Sequence, residues 1–426
     1  MDNHRIEIMA PAGSWESLAA AINAGADSVY FGIEHLNMRS RSSANFSTAD
    51  LHTIAQRCNE AGVKTYLTLN TVMYPEDLPL MRQIVDHARQ AGISAVIASD
   101  ISVMQYCNQQ GVEVHLSTQL NIANTEALRF YAQFADVVVL ARELNMQQVA
   151  QIHRDIVEQD IRGRNGEQLR IEMFCHGALC MAVSGKCYLS LNNLGMSANR
   201  GACAQICRRG YIVKDKDSDL ELEVDNQYIM SPKDLKTIRF LDKMLDAGVS
   251  VLKIEGRARG AEYVKTVVEC YKEAISVWQE GKFHDDKAEE RFARWDERLA
   301  RVFNRGFWDG WYQGQRLGEW NDTHGNKATR RKVYAGRCTN YFQKPHVAEF
   351  LVEACVVREG DELLVTGETT GALDCTATAI RVFEAAGKQP EIPDAHEAPQ
   401  GTLLCVHCPD TVRRGDKLFV MEKTEF

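Results

Sequence analysis

Eight short apolar runs rich in β-branched residues recur along the first two thirds of the chain, each followed by a segment that ends near Gly or Ala. The runs read IEIMAPAG, DSVYFGI, KTYLTLN, SAVIASD, EVHLSTQLN, DVVVLAREL, LRIEMFCHG and SVLKIEGR. Segments between them carry helical periodicity with Ser or Pro near the start and Gly at the end, as in SWESLAAAINAG, STADLHTIAQRCNEAG, PEDLPLMRQIVDHARQAG and SPKDLKTIRFLDKMLDAG. Eight such units predict an α/β fold, a TIM-barrel-like (βα)8 domain or an opened relative of one, over about residues 5 to 280. A doubly wound sheet is the competing architecture. Against it, APAGSWES after the first run holds one glycine and no GxGxxG, so nothing suggests a dinucleotide site.

A chain of 426 residues, 45% apolar and 25% charged, is too long for one ordinary core and describes a globular protein of two domains. The N-terminal MDNHRIEIMAPAG has no basic region followed by a long apolar one, and no apolar run approaches the roughly 20 residues that span a bilayer. The protein is therefore expected in the cytoplasm, with no membrane partner. Thirteen cysteines, an odd number, in such a chain argue against a disulfide framework, so those that matter bind metal or do chemistry.

The division expected is a catalytic barrel over residues 1–283, a charged connector over 284–332 and a small domain over 333–426. The connector carries Trp295, Trp308, Trp311 and Trp320 interleaved with arginines. Such a pattern could stack bases, but packing of the rings onto the barrel is the preferred reading. The last segment alternates in short runs, VYAGRCTNYF, HVAEFLVEA, GDELLVTG, GTLLCVHC and GDKLFVM, which predict a small antiparallel β-barrel. Its repeated GDxL hairpin resembles the barrel domain of translation elongation factors.

Regular spacing breaks between residues 175 and 226, a cysteine-rich insertion after the seventh run. Between Glu172 and Asp215 there is no acidic residue although the chain carries a formal charge of -9. The stretch holds Cys180, Cys187, Cys203 and Cys207 together with Lys186, Arg200, Arg208, Arg209 and Lys214. That combination points to a metal centre facing an anionic partner. In a barrel it lies at the C-terminal strand ends, where active sites form. Asn70, Asp100, Ser117, Gln119, Asn121, Arg142, Glu143, His176, Glu255 and Arg257 gather at the other strand ends. Each alone is compatible with a cap or loop hydrogen bond; as a ring they suggest a binding site. Zinc, an iron-sulfur cluster and unliganded thiols all remain open for the four cysteines. The spacing C-x6-C, fifteen residues, C-x3-C has no tight knuckle, which weighs against zinc and is tolerated by clusters. Cys175, Cys58, Cys107 and Cys270 read as small apolar side chains, and the C-terminal cysteines, Cys405 and Cys408 included, as strand residues.

The segment EMFCHGALCMAVSGKCYLS, Glu172 to Ser190, resembles the collagenase-like peptidase family signature E-x-F-x-x-G-A-L-C-x4-G-x-C-x-x-S. NRGACAQICRRGY and SVLKIEGR resemble later blocks of the same family, so the resemblance spans the whole barrel region. Members with assigned roles are mostly hydroxylation proteins acting on tRNA wobble uridine, on a cytidine of large-subunit rRNA, or on ubiquinone precursors without oxygen. Relatives of the last group hold a [4Fe-4S] cluster, which implies Cys180, Cys187, Cys203 and Cys207 as its ligands here, with zinc as the alternative. The added C-terminal domain is similar to that of the tRNA-modifying members. This implies prephenate-dependent formation of 5-hydroxyuridine, with tRNA as partner and prephenate as a small dicarboxylate co-substrate. The link DKDSDLELEVDNQY after CRRGY is shorter than in some relatives. The expected roles are catalysis for His176, Glu255 and Arg257, and substrate binding for Arg208, Arg209, Arg142, Asn70, Gln119 and Asn121. Two rivals stand beside this reading: a peptidase, for which the chain has neither HExxH nor GxSxG, and a non-catalytic RNA-binding protein with a structural metal.

Overall fold

The computed structural model describes residues 6–40, 45–214, 216–218, 221–222, 230–322, 325–384, 391–392 and 394–424. Asp215 and Asn226, the residues that bound the acid-free stretch and the expected insertion, lie outside the described residues. All eight apolar runs are strands: β1 (Glu7–Pro11), β2 (Ser28–Phe31), β3 (Lys64–Leu69), β4 (Ala95–Ala98), β5 (Glu113–Leu116), β6 (Val137–Val139), β7 (Arg170–Gly177) and β11 (Val249–Ile254). Each is parallel to its neighbours, and β11 pairs with β7 on one side and β1 on the other, so the sheet closes. The barrel strands are buried on both faces, which is why the runs read as continuously apolar rather than alternating.

Helices α1 (Trp15–Asn23), α2 (Leu51–Glu60), α3 (Leu78–Ala91), α4 (Ile101–Gln110), α5 (Thr125–Ala132) and α6 (Met146–Glu158) alternate with the strands. Ser14, Asp100, Asn124 and Asn145 accept backbone N–H groups at the starts of α1, α4, α5 and α6, satisfying donors that a helix leaves free. The insertion contributes the short helix α7 (Leu189–Leu194) and a hairpin of β8 (Val213–Lys214) and β9 (Glu221–Leu222).

One expected helix starts late. SPKDLKTIRFLDKMLDAG was predicted helical throughout, but its first part is strand β10 (Asp234–Lys236), and α8 spans only Leu241–Asp246. The reason is an open edge. β6 stops pairing at Glu172 while β7 continues to Gly177, and β10 covers that overhang antiparallel, with Leu235 opposite Gly177. Strand β12 (Phe307–Trp308) adds to the outside of β10.

The barrel ends with α9 (Ala261–Gln279), and α10 (Ala288–Arg301) opens the connector. Trp295 is fully buried among Phe283 and Phe292, its indole donating to Glu273 at 2.9 Å, and Trp308 is also buried. Trp295, Trp308 and Trp311 thus pack onto the barrel, whereas Trp320 is exposed. Beyond them, β13 (Arg330–Phe342), β14 (Val347–Val352), β15 (Val357–Arg358), β16 (Glu362–Gly367), β17 (Gly371–Thr376), β18 (Arg381–Glu384), β19 (Glu391–Ile392), β20 (Glu397–Ala398), β21 (Thr402–His407) and β22 (Lys417–Lys423) form antiparallel sheets. The larger, ordered β17-β16-β22-β13-β14-β21-β18-β19, surrounds its own core of Phe350, Val365, Leu404 and Leu418. No helix among the described residues is long and apolar enough to cross a membrane.

The C-terminal domain docks on α1 and α9 through β17, with Leu364 and Ala372 packed on Ala20 and Ala261, and Lys265 paired to Asp374 at 2.7 Å. Gly371 sits there at φ +71, and a Cβ on it would stand 2.6 Å from the Ala20 amide nitrogen. Gly371→Ala should therefore weaken the docking by about 1–3 kcal/mol. The expected result is a lowered transition for the C-terminal domain, with the barrel transition retained, in calorimetric unfolding.

Candidate active site

The insertion crosses the C-terminal mouth of the barrel because side chains on several loops hold it there. It begins at Gly177, where φ is +105 and a Cβ would lie 2.5 Å from the Glu255 carbonyl, so only glycine allows β7 to leave so close to the end of β11. Asn121 Nδ2 donates to the Ser184 carbonyl at 2.9 Å. Arg208 donates to Ser231 Oγ at 2.9 Å and to the Pro232 carbonyl at 2.7 Å. Arg200 pairs with Asp77 and lies 4.2 Å over the Tyr74 ring. Ala204 N–H donates to Ser190 Oγ at 3.0 Å.

These tethers bring Cys180, Cys187, Cys203 and Cys207 to the lining of one cavity of about 230 Å³ at the barrel mouth. Cys180 is exposed and the other three are half-buried. Burial pushes the Cys207 thiol up, Arg208 opposes it, and the other three thiols add to it, so each of them lies within electrostatic reach of Cys207. They do not converge on one point: among the described residues no three His, Cys, Asp or Glu side chains group closely enough to ligate a single metal ion.

Among the described residues the same cavity is lined by seven cations, Arg39, Arg142, Arg208, Lys253, Arg257, Arg259 and Arg305, against one carboxylate, Glu255. In a chain of net charge -9 this is a concentrated positive field. At its floor Lys253 Nζ pairs with Glu172 at 2.6 Å, both buried, with the ammonium 4.8 Å from the Tyr30 ring. Removing Lys253 alone would leave a buried charge without its partner, a loss of about 3–5 kcal/mol. Glu255 accepts from Arg39 at 3.2 Å. Burial would raise its carboxyl, but Arg39, Arg142 and Arg257 hold it below the ordinary range, so it stays ionised. Arg257 donates to Asn37 Oδ1 at 3.0 Å and Thr68 Oγ1 at 2.8 Å, and burial draws its guanidinium down to about 10. Arg142 lies 3.9 Å over the Phe174 ring. Buried polar atoms here without a hydrogen-bond partner include Arg142 Nε, Asn199 Oδ1 and Glu172 Oε2.

Of the expected residues, Asn70, Gln119, Arg142, Arg208, Glu255 and Arg257 line the cavity with the four cysteines. Asn70 Nδ2 donates to Ser117 Oγ at 3.0 Å and Gln119 Oε1 at 3.3 Å. Asn121 does not line it: in left-handed conformation at φ +52, it tethers the insertion. Arg209 is exposed outside it. Asp100 caps α4. Glu255 pairs with Arg39 rather than Arg257.

His176 needs a correction. Strand β7 pairs Phe174 with Lys253 and His176 with Ile254, leaving Cys175 as an extra residue, and this bulge turns His176 away from the interior. The imidazole is 1% exposed, boxed by Tyr263, Tyr271 and Phe307, with Nδ1 unpartnered. Burial, aided by the Lys236 charge, draws it down to about 3, so it stays neutral and moves no proton at the cavity. Sequence reasoning missed Arg39, Glu172, Lys253, Arg259 and Arg305. A lysine inside the apolar run VSVLKI was the available signal, since a charge on a doubly buried strand requires a partner.

Residues 13–322 match the model of Peptidase family U32. The chain belongs to this family. A relative from Porphyromonas gingivalis strain W83, named collagenase, is 60% identical over 425 residues, covering 100% of both chains. The tRNA hydroxylation protein P1 of Bacillus subtilis is 31% identical, covering 84% of this chain and 82% of its own. The 23S rRNA 5-hydroxycytidine C2501 synthase of Escherichia coli is 33% identical, covering 65% of this chain and 40% of its own. The U32 match begins after β1, takes in the rest of the barrel, the insertion and most of the connector, and stops before β13.

The neutral His176 gives this U32 protein an acid sensitivity of known sign. The unfolded imidazole protonates near pH 6.5 and the folded one near 3, so stability is full above pH 6.5 and falls by about 1.4 kcal/mol per unit as pH drops toward 3. His176→Phe should remove that slope in urea unfolding between pH 6.5 and 4 and leave catalysis intact.

Proposed function

We propose that this U32 protein hydroxylates a pyrimidine base of RNA, with the wobble uridine of tRNA as target, prephenate as co-substrate and a [4Fe-4S] cluster on Cys180, Cys187, Cys203 and Cys207. The observation that carries the reading is the meeting of four thiols and seven cations in one cavity at the C-terminal mouth of the barrel. Relatives named for tRNA and rRNA hydroxylation support it.

The donor set fits a polynuclear centre. Four thiols around one cavity match the donor number of a [4Fe-4S] centre, with tetrahedral zinc as the alternative. Four thiolates also place a high negative charge in one space, which the facing arginines offset. When bound, the cluster would supply one-electron redox chemistry that no side chain provides, as attack on an unactivated C5 requires.

The chain's own residues bind and orient. Arg142, with Nε free, and Arg257 suit the carboxylates of a small diacid, with Phe174 as an apolar wall. Glu255 holds Arg39 in place beside the cysteines. The Tyr30 phenol, pushed up by burial and the Glu255 charge, stays protonated and donates to the Ile254 carbonyl at 2.9 Å. On the insertion, Lys186, Tyr188 and Arg209 are all exposed, Tyr188 at 72%, residue types suited to phosphates and a stacked base.

The peptidase reading is favoured by the 60% identical relative named collagenase. The chemistry of the cavity opposes it. Its described lining includes no histidine to activate a thiol, and Cys175, whose thiol donates to the Lys253 carbonyl at 3.4 Å, is fully buried with its thiol pushed up.

Protein purified without oxygen should carry about four iron per chain, lost in Cys180→Ala, Cys187→Ala, Cys203→Ala or Cys207→Ala and kept in Cys58→Ala. A deletion strain should lack 5-hydroxyuridine derivatives in its tRNA, and the wild-type gene, but not Cys207→Ala, should restore them. Stoichiometric zinc without iron, or normal tRNA in the deletion strain together with gelatin cleavage by the purified protein, would overturn the reading. Arg209→Glu should weaken tRNA binding and reduce the slope of log affinity against log salt, whereas Arg257→Lys should leave that slope unchanged and weaken prephenate binding.

A further inference from the structure

Far from the cavity in sequence, two thiols of the C-terminal domain face each other. Cys375 Sγ and Cys408 Sγ are 3.8 Å apart although they lie 33 positions apart in the chain. They are not neighbours in the sheet either. Cys375 lies on β17, first in the strand order, and Cys408 directly follows β21, sixth in that order. The sheet therefore curls until its first strand meets the end of its sixth, and the thiol pair marks the seam.

The surroundings fix both sides of the pair. Cys375 is in register with Leu363 of β16. Cys408 donates its amide to the His346 carbonyl at 2.9 Å, and its own carbonyl accepts from Tyr341 Oη at 3.4 Å. Cys375 is half-buried and Cys408 fully buried, so a reagent from solvent meets Cys375 first. The shared hydrogen bond pulls the Cys375 thiol below its ordinary value and, with burial, pushes the Cys408 thiol up. The pair is therefore asymmetric, with an accessible nucleophile backed by a protected partner, the arrangement of attacking and resolving thiols.

We propose that Cys375 and Cys408 form a reversible dithiol–disulfide site, oxidised by a low-molecular-weight disulfide of the glutathione type, that seals the seam of the C-terminal domain. Cys375 thiolate attacks one sulfur of the oxidant, forming a mixed disulfide and releasing one small thiolate, which takes up a proton. Cys408 then loses its proton and attacks Cys375 Sγ, forming the internal disulfide and releasing the second small thiol. Two protein thiols are oxidised and one small disulfide is reduced to two thiols, so the exchange balances. Strand β17 also carries the contact with α1 and α9, through Ala372 on Ala20 and Ala261 and through Asp374 on Lys265. Oxidation thus ties the docking strand to β21 and makes the interface with the barrel sensitive to the thiol balance around it.

The test uses the full-length reduced chain, equilibrated in reduced and oxidised glutathione mixtures, quenched by alkylation and mapped as peptides. The expected product is a linked pair of peptides containing Cys375 and Cys408, reversed by dithiothreitol and absent in Cys375→Ser and Cys408→Ser. With it, the thermal midpoint of the C-terminal domain should rise by several degrees, as loop closure restricts the unfolded chain. A stable glutathione adduct on Cys375 with Cys408 still open to alkylation would overturn the proposal. So would linkage of Cys408 to Cys338 or Cys405, or both thiols free in the most oxidising mixture. Mapping reads the unmutated protein and so does not depend on the serine variants folding, and oxidation of the four cavity thiols appears on different peptides.

Discussion

The pairing of β11 with β1 on one side and β7 on the other is the constraint on which the rest of this molecule depends. It closes the barrel, and closure brings the ends of the second, third, fifth, seventh and eighth strands to one rim. Tyr30, Asn70, Ser117, Phe174 and Lys253 then surround one space although they span more than half of the chain. The buried Lys253–Glu172 pair crosses the final joint between β11 and β7, so an ion pair links the two strands whose meeting completes the fold. Such a pair carries a large desolvation cost and is weak evidence for stability alone, but it specifies which strand lies beside which.

Closure also decides where the charge goes. A chain with more acidic than basic residues concentrates seven cations around four thiols, because an acid-free insertion lies over strand ends that themselves carry Arg142 and Arg257. Glu255 is the one carboxylate among the described lining residues and stays ionised against burial because three arginines surround it. The field favours an anion of any origin, and the faces of Tyr30 and Phe174 carry the Lys253 and Arg142 charges.

The C-terminal domain stands apart from this chemistry. Its core is its own, and it reaches the barrel through β17, on the sides of α1 and α9 rather than at the mouth. The connector's Trp295, Trp308 and Trp311, which a sequence alone could assign to base stacking, instead fill the outer layer, while Trp320 is exposed. Aromatic surface of that size is more stable buried than in water, unless a partner covers it.

All eight barrel strands were legible in the sequence, because a strand buried on both faces needs an unbroken apolar run and a crossover helix must follow it. The four cysteines, Asn70, Gln119, Arg142, Arg208, Glu255 and Arg257 were legible as rim residues for the same reason: strand ends and the insertion after the seventh strand face one way in a closed barrel. Other features were not, since they arise from contacts between segments distant in the chain. The β7 overhang recruits β10 where helical periodicity ran through, and a one-residue bulge at Cys175 turns His176 from the interior to the outer layer. Arg39 and Arg305, from a loop after β2 and from the connector, reach the cavity only because the folded chain returns there. Local periodicity follows from which side chains must avoid water, and this the sequence determines; which polar atoms meet, and so which groups are charged, neutral or poised to react, is set by distances that exist only once the tertiary structure has closed.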